Sequence, residues 1–232
     1  LRQEPLHAWD AAAVSDGPAT TRLSRLGLGT VQFGIRYGIA NVTGQVGPEE
    51  VARILRRAAA AGVTFLDTAR GYGTSEEALG AALAEPALRG RFVISTKLDI
   101  GRDYDARGEA EVLADVEAAL AASRRALGME RIPIYQLHVP AHRSWSNGAI
   151  WRLLDARRRE GLVGELGVSM AGGDVEEALA CLEDPVVRVL QIPYNAFDQR
   201  WRRRGVLAAA ARRGVTVIGR SAYLQGLLVM PE

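Results

Sequence analysis

The sequence predicts an α/β fold: a (β/α)8 barrel of the TIM type, with about seven of the eight βα units present in the chain. Three observations lead there. Short apolar strands alternate with amphipathic helices throughout, the pattern of a parallel sheet with helices outside it. That alternation fits both a closed barrel and an open doubly wound sheet. The first turn, with Gly27, Gly29 and Gly34, does not give the G-x-G-x-x-G of the usual dinucleotide-binding sheet. Polar residues gather instead at the C-terminal ends of successive strands: Asp67, Lys97, His138, Ser169, Gln191 and Ser221. Barrel enzymes place their chemistry on that rim.

The elements follow in order. Arg25–Thr30 is the first strand. A helix runs over Pro48–Ala61, with Pro48 suited to its first turn and Glu49 and Glu50 at the positive end of its dipole. Val51, Ile54, Leu55, Ala58 and Ala61 form its apolar stripe, and Gly62 fits the C′ position. Val63–Thr68 is a buried strand. Thr74 and Glu77 make a T-x-x-E capping box before a short helix. Arg91–Lys97 is the third strand. Glu109–Leu127 is a long helix with Leu113, Val116, Leu120 and Leu127 on one face. Ile132–Val139 is a strand, Ala149–Glu160 a helix stopped by Gly161, and Leu162–Ser169 a strand. Asp174 and Glu177 cap the next helix. Val187–Pro193 is a strand, Arg200–Arg213 a helix and Val215–Ser221 the seventh strand. AAGVTF (60–65) and RRGVTV (212–217) repeat one junction: helix end, glycine, strand start.

The chain of 232 residues reads as a single barrel domain, with residues 1–22 an N-terminal extension or hairpin and the last βα unit missing. Its 48% hydrophobic and 24% charged residues exclude a disordered chain. No apolar run approaches the roughly 18 residues of a membrane span, and the first residues lack a signal peptide's apolar core. With one cysteine, Cys181, the chain has neither an internal disulfide nor a cysteine-only metal site, and a cytoplasmic location is expected. Cys181 itself sits in a helical pattern as a small hydrophobe. His138 and His142 share an H-x-x-x-H spacing without carboxylates nearby, so no metal is expected. The net charge is +2, which does not indicate nucleic-acid binding. Nothing in the sequence decides between a monomer and a homo-oligomer.

Of the 29 basic residues all but Lys97 are arginine. A buried lysine can modulate its proton where arginine cannot, so the lone ammonium at a strand end is a candidate for chemistry. Asp67, Lys97 and His138 end three successive β-rich segments, and Tyr72 lies five residues beyond Asp67. The combination has a physical logic. A phenol with its free pKa of about 10 is a poor acid at neutral pH. A nearby ammonium favours the phenolate, and a carboxylate holds the ammonium. A neutral imidazole then orients a carbonyl toward the phenol, which serves as general acid for a developing alkoxide. Phe33, Tyr37 and Trp145, in loops after strands one and four, are candidates to line the substrate pocket.

FLDTARGYGTSEEALG (65–80) closely resembles the signature of the aldo-keto reductases. VISTKLD (93–99), IYQLHVP (134–140) and GLGTVQFG (27–34) resemble their lysine, histidine and first strands. QIPYNAFDQR (191–200) and RSAYLQGLL (220–228) resemble a bacterial subgroup, and the likeness runs over roughly residues 23–228. The resemblance implies reduction of an aldehyde, ketone or sugar by NADPH, with NADH left open and no Rossmann domain. It implies that Tyr72 is the general acid, that Lys97 tunes it, that Asp67 holds Lys97 and that His138 orients the carbonyl. Gly29, Thr30 and Asp67 match positions near the nicotinamide and its ribose. Ser169 and Gln191 match groups that bond the carboxamide. Arg220, Ser221, Tyr223, Gln225 and Gly226 match the region against the ring and pyrophosphate. Two positions depart from the pattern: Met170 follows Ser169 where asparagine is frequent, and Arg220 stands where a stacking aromatic is common.

Two other functions fit parts of the sequence. With the last unit missing, the barrel would have an open seam and serve as a nucleotide-binding or interaction module of little activity. A lysine on a strand end could instead form a Schiff base. A short-chain-dehydrogenase Y-x-x-x-K is excluded because residue 93 is Val, and a phosphate-binding P-loop because Thr96 precedes the only lysine.

Overall fold

The computed structural model describes residues 23–170 and 174–230; the segment 1–22, expected as an extension or hairpin, lies outside them. Seven parallel strands form one sheet in the order β1-β2-β3-β4-β5-β6-β7, a nearly closed barrel with helices outside it. The strands are β1 (Leu28–Gly29), β2 (Phe65–Asp67), β3 (Val93–Leu98), β4 (Ile132–Leu137), β5 (Val163–Ser169), β6 (Val187–Pro193) and β7 (Thr216–Arg220). The helices are α1 (Val31–Gly34), α2 (Pro48–Ala60), α3 (Ser75–Leu83), α4 (Glu109–Leu127), α5 (Trp145–Arg159), α6 (Val175–Leu182), α7 (Arg200–Arg203) and α8 (Val206–Arg213).

Local chemistry explains most boundaries. Pro48 opens α2 with Glu49 and Glu50 in its first turn. The Asp174 carboxylate caps α6 by accepting from the amides of Glu176 at 2.8 Å and Glu177 at 3.2 Å. Gly62 and Gly214, the glycines of the repeated junction, both take left-handed conformations.

Four expectations are corrected. The first strand shrinks from Arg25–Thr30 to Leu28–Gly29, because β1 pairs only with β2 and Arg25 and Leu26 stand in solvent. The capping box at Thr74 does not form: its hydroxyl accepts from Gln45 Nε2 at 2.9 Å, and Glu77 turns to Arg70. The helix expected over Arg200–Arg213 breaks into α7 and α8 at Gly205, whose φ of 81° ends the helical path. The buried face of α4 is led by Val112, with Leu113 only half-buried.

The apolar residues divide into layers. Between strands and helices lie two clusters, one around Leu98, Tyr135, Leu166, Leu190 and Trp201, the other around Leu55, Leu66, Leu79 and Ile94. Cys181 is buried in the first of these. Inside the barrel, Phe65, Val93, Ile134 and Val189 form an apolar plug with Leu23 and Ile218 against it. Side chains alternate along a strand, so two residues further along β2, β3 and β6 the interior positions are Asp67, Ser95 and Gln191. The plug is therefore the dry floor under a polar layer at the strands' C-terminal ends.

Candidate active site

Asp67 ends β2 and Lys97 is the next-to-last residue of β3, and both face the barrel interior. The Lys97 side chain is fully buried. Its ammonium donates to Asp67 Oδ1 at 2.9 Å, Asp67 Oδ2 at 2.8 Å and the Thr68 carbonyl at 2.7 Å. Three protons and three acceptors account for the whole group. In this arrangement the ammonium is a fixed partner of Asp67 and of the loop that follows β2. Burial lowers the pKa of the Lys97 ammonium, while the Asp67 carboxylate works against that shift.

Tyr72 is carried by the loop between β2 and α3. That loop is laced to β3: the Thr68 amide donates to the Ser95 carbonyl at 2.8 Å and the Arg70 amide to the Lys97 carbonyl at 3.2 Å. Behind it, the buried Glu76 carboxylate accepts from Thr96 Oγ1 and from Arg70 Nη1, both at 2.6 Å. The loop also presses on the end of α1. A Cβ at Gly34 would lie 1.7 Å from the Tyr72 carbonyl oxygen, so only glycine admits this approach.

The Tyr72 ring lies edge-on to His138, with centroids 5.8 Å apart, and Lys97 Nζ is 5.1 Å from the Tyr72 centroid. The four residues expected to share a site are thus brought together. Their electrostatics differ from the expectation in one respect. Burial raises the Tyr72 phenol's pKa, the Asp67 carboxylate adds to the rise, and it is the Arg220 guanidinium that opposes it. With its protons on Asp67 and Thr68, Lys97 makes no direct bond to the phenol here. His138, half-buried at the end of β4, is pulled down by burial and then by Lys97, which favours the neutral imidazole.

Ser169, the last residue of β5, and Gln191, two residues before the end of β6, are buried. Ser169 Oγ donates to Gln191 Oε1 at 3.0 Å, and Gln191 Nε2 donates to Asp67 Oδ1 at 2.9 Å. A hydrogen-bonded chain therefore crosses the mouth from β5 to Asp67, which receives donors from two sides. Arg220, half-buried at the end of β7, reaches over β6: Nη2 donates to the Met170 carbonyl and Nη1 to Ser221 Oγ, each at 3.2 Å. Ser221, Leu224 and Gln225 have φ of 59°, 49° and 59°, and Gly226 has 96°. Such a run is costly for side-chain-bearing residues and concentrates at binding turns. Tyr223 in this turn is exposed, and the Gln225 carbonyl accepts from the Ile39 amide at 3.1 Å, tying the turn to the loop after β1.

Gly29 is exposed, with open space where a Cβ would stand. Two candidates are not at the mouth. Thr30 is fully buried, its hydroxyl lying between the Asp67 carbonyl and Ser75 Oγ at 3.0 Å each; it joins β1 to β2. Phe33 packs in the outer layer with Val51, Leu55 and Leu79 and lines no pocket at the mouth. Tyr37 is partly exposed and close enough to Tyr72 to raise its pKa slightly. Trp145 stands edge-on to Tyr104, whose ring centroid is 4.2 Å from that of His142. Among the described residues no group of three or more His, Cys, Asp or Glu could hold a metal, and no helix is long and apolar enough to cross a membrane.

Sequence reasoning missed Glu76 and Ser75. Ser75 Oγ donates to the Thr30 carbonyl at 2.9 Å and accepts from Thr68 Oγ1 at 2.9 Å, fastening the loop to β1. In the string Ser-Glu-Glu before an apolar run, both acids look like ordinary first-turn residues; no signal marks Glu76 as the buried one.

Comparison with known proteins gives a consistent result. Residues 25–230 match the model of the Aldo/keto reductase family. An uncharacterised oxidoreductase of Mycobacterium tuberculosis is 41% identical over 125 residues, covering 51% of this chain and 34% of that protein. A D-threo-aldose 1-dehydrogenase of a Pseudomonas species is 28% identical over 226 residues, covering 84% of this chain and 67% of the relative. The chain thus spans about a third of the length of the first and two thirds of the second. An aldo/keto reductase of Klebsiella pneumoniae, solved with NADP and acetate, shares the fold at a TM-score of 0.66 and 21% identity, covering 89% of this chain and 67% of that one.

Proposed function

The chain belongs to the Aldo/keto reductase family, and from that premise we propose that it reduces a small aldehyde, ketone or sugar carbonyl to the alcohol, with NADPH as reductant and Tyr72 as general acid. The observation that carries this reading is the convergence of Tyr72, His138 and the Lys97–Asp67 pair on one barrel mouth.

The residues present fit a nicotinamide cofactor. The exposed Gly29 leaves space for a flat group to approach the backbone, and the left-handed turn at 221–226 presents main chain to solvent beside Arg220. Gly29, Asp67, Arg220, Ser221, Tyr223, Gln225 and Gly226 are the residues proposed to hold it. Ser169 and Gln191 join them only by exchanging their present bonds. The bound cofactor supplies the hydride for the carbonyl carbon. The rest is done by the chain. Neutral His138 donates to the carbonyl oxygen and turns it toward Tyr72. Tyr72 gives its proton to that oxygen as the alkoxide develops. Lys97, held by Asp67 with its ammonium 5.1 Å from the Tyr72 ring centroid, stabilises by its charge the phenolate left behind. The apolar plug below keeps water from the polar layer. Sugars head the substrate panel, because the Pseudomonas relative is named for an aldose.

A fluorescence titration of the intact protein with NADPH and NADH, followed by a panel of aldehydes, ketones and aldoses, tests the proposal. Binding of NADPH with carbonyl-dependent oxidation supports it. Binding of neither nucleotide refutes it.

A further inference from the structure

One cation at the mouth neither gives nor takes a proton in the chemistry above. Arg220 spans β6 to reach the Met170 carbonyl, and its influence extends to Tyr72, Lys97 and His138 alike. Both its side-chain bonds go to neutral oxygens at 3.2 Å. Among the described residues no carboxylate pairs with it, whereas Arg70, Arg107 and Arg157 each pair with two or more acids. The carboxylate that meets Lys97, Asp67, is already engaged by it twice and by Gln191. The segment after Met170, Ala-Gly-Gly, carries no charge. Lys97 and Asp67 cancel, and Asp99, beside Gly71 after β3, bears on His138; on the β7 side the cation without a carboxylate partner is Arg220.

That charge meets a reaction whose cofactor changes charge. Carbonyl reduction moves a hydride to the carbonyl carbon and the Tyr72 proton to its oxygen, and the oxidised nicotinamide bears a positive charge that the reduced ring lacks. The carbonyl must lie against Tyr72 and His138, so its hydride donor shares the mouth that Arg220 spans.

We propose that Arg220 sets the redox-state preference of the site: its guanidinium makes the mouth bind the neutral reduced nicotinamide in preference to the cationic oxidised one, which favours carbonyl reduction and hastens release of the spent cofactor. This rests on the function proposed above. Repulsion between like charges a few ångströms apart in a partly buried site is enough to change an affinity by about tenfold.

The test is a pair of binding titrations, with NADPH and with NADP+, on the intact protein and on Arg220→Met and Arg220→Lys at fixed ionic strength. The expected result is tighter binding of NADPH by the native protein. Arg220→Met narrows the ratio of the two dissociation constants by about tenfold, chiefly by gaining affinity for NADP+, and Arg220→Lys keeps the ratio. If both affinities fall together in Arg220→Met and the ratio is unchanged, the guanidinium acts only as a flat surface and the proposal is overturned while the reductase reading stands. If the native protein binds neither nucleotide, both are overturned.

Discussion

Two arcs of the barrel are built differently. From β3 to β6 the strands are six or seven residues long and almost wholly buried, with Lys97, Ser169 and Gln191 at their ends. The other arc joins β7, half-buried along its five residues, to a two-residue β1; no strand among the described residues lies between them, and the Ile39–Gln225 bond links their loops. The groups proposed for the acid–base chemistry belong to the first arc or, like Tyr72, are laced to it. The groups proposed to grip a cofactor belong mainly to the second. Atoms that exchange a proton must be held to a fraction of an ångström, whereas a surface that captures and releases a large ligand gains from lower local stability.

The sharpest way to break this comparison is Lys97→Met. It strips Asp67 of its cation, leaving a carboxylate in the polar layer with only Gln191 donating to it. A loss of about 3–5 kcal/mol in urea denaturation is expected, together with loss of turnover. A stable Lys97→Met protein would show that the pair is not what locks this arc.

His142 offers a pH handle on the same arc. It is buried, neither ring nitrogen has a protein partner, and burial pulls its pKa from 6.5 to about 4. The unfolded chain then binds the proton more readily than the folded one between those values, so stability is full above about pH 6.5 and falls as pH drops toward 4. The loss over that window is at most about 3 kcal/mol. Denaturation midpoints against pH measure it, and His142→Phe should flatten the curve.

Glu76→Gln sharpens the comparison further. It leaves Arg70 with Glu77 alone and weakens the bond from Thr96, at about 1.5–3 kcal/mol. If the loop carrying Tyr72 depends on this anchor, kcat falls while nucleotide affinity holds, and Glu76→Asp recovers part of the rate. The smallest effect is expected on the second arc. Tyr223→Ala, at an exposed ring, should change stability by no more than about 0.5 kcal/mol and weaken NADPH binding several-fold. A large fall in its melting temperature would mean that this arc is as tightly built as the other.

Much of this division is legible in the sequence. The alternation of strands and helices fixes a parallel sheet, and the strand-end residues Asp67, Lys97 and His138 mark the mouth because side-chain direction follows from strand periodicity. Tyr72 stands out between Gly71 and Gly73. Tertiary competition is what the sequence hides. Thr74 has the spacing of a capping box, but Gln45 takes its hydroxyl. Arg200–Arg213 keeps a helical pattern through Gly205, where the chain turns left-handed. Thr30 and Phe33 follow the first strand as Tyr37 does, yet they face the inner seam and the helix layer. Glu76 and Glu77 are neighbours in sequence with opposite fates, set by which of them meets Thr96 across the loop.

The central claim is that Tyr72 delivers the proton from a loop held by the rigid arc. Single-turnover oxidation of protein-bound NADPH by saturating carbonyl substrate, native against Tyr72→Phe, tests it most directly. The account predicts a rate lower by about 10²–10⁴-fold in Tyr72→Phe, with nucleotide affinity and melting temperature unchanged. An undiminished rate in that variant would contradict it.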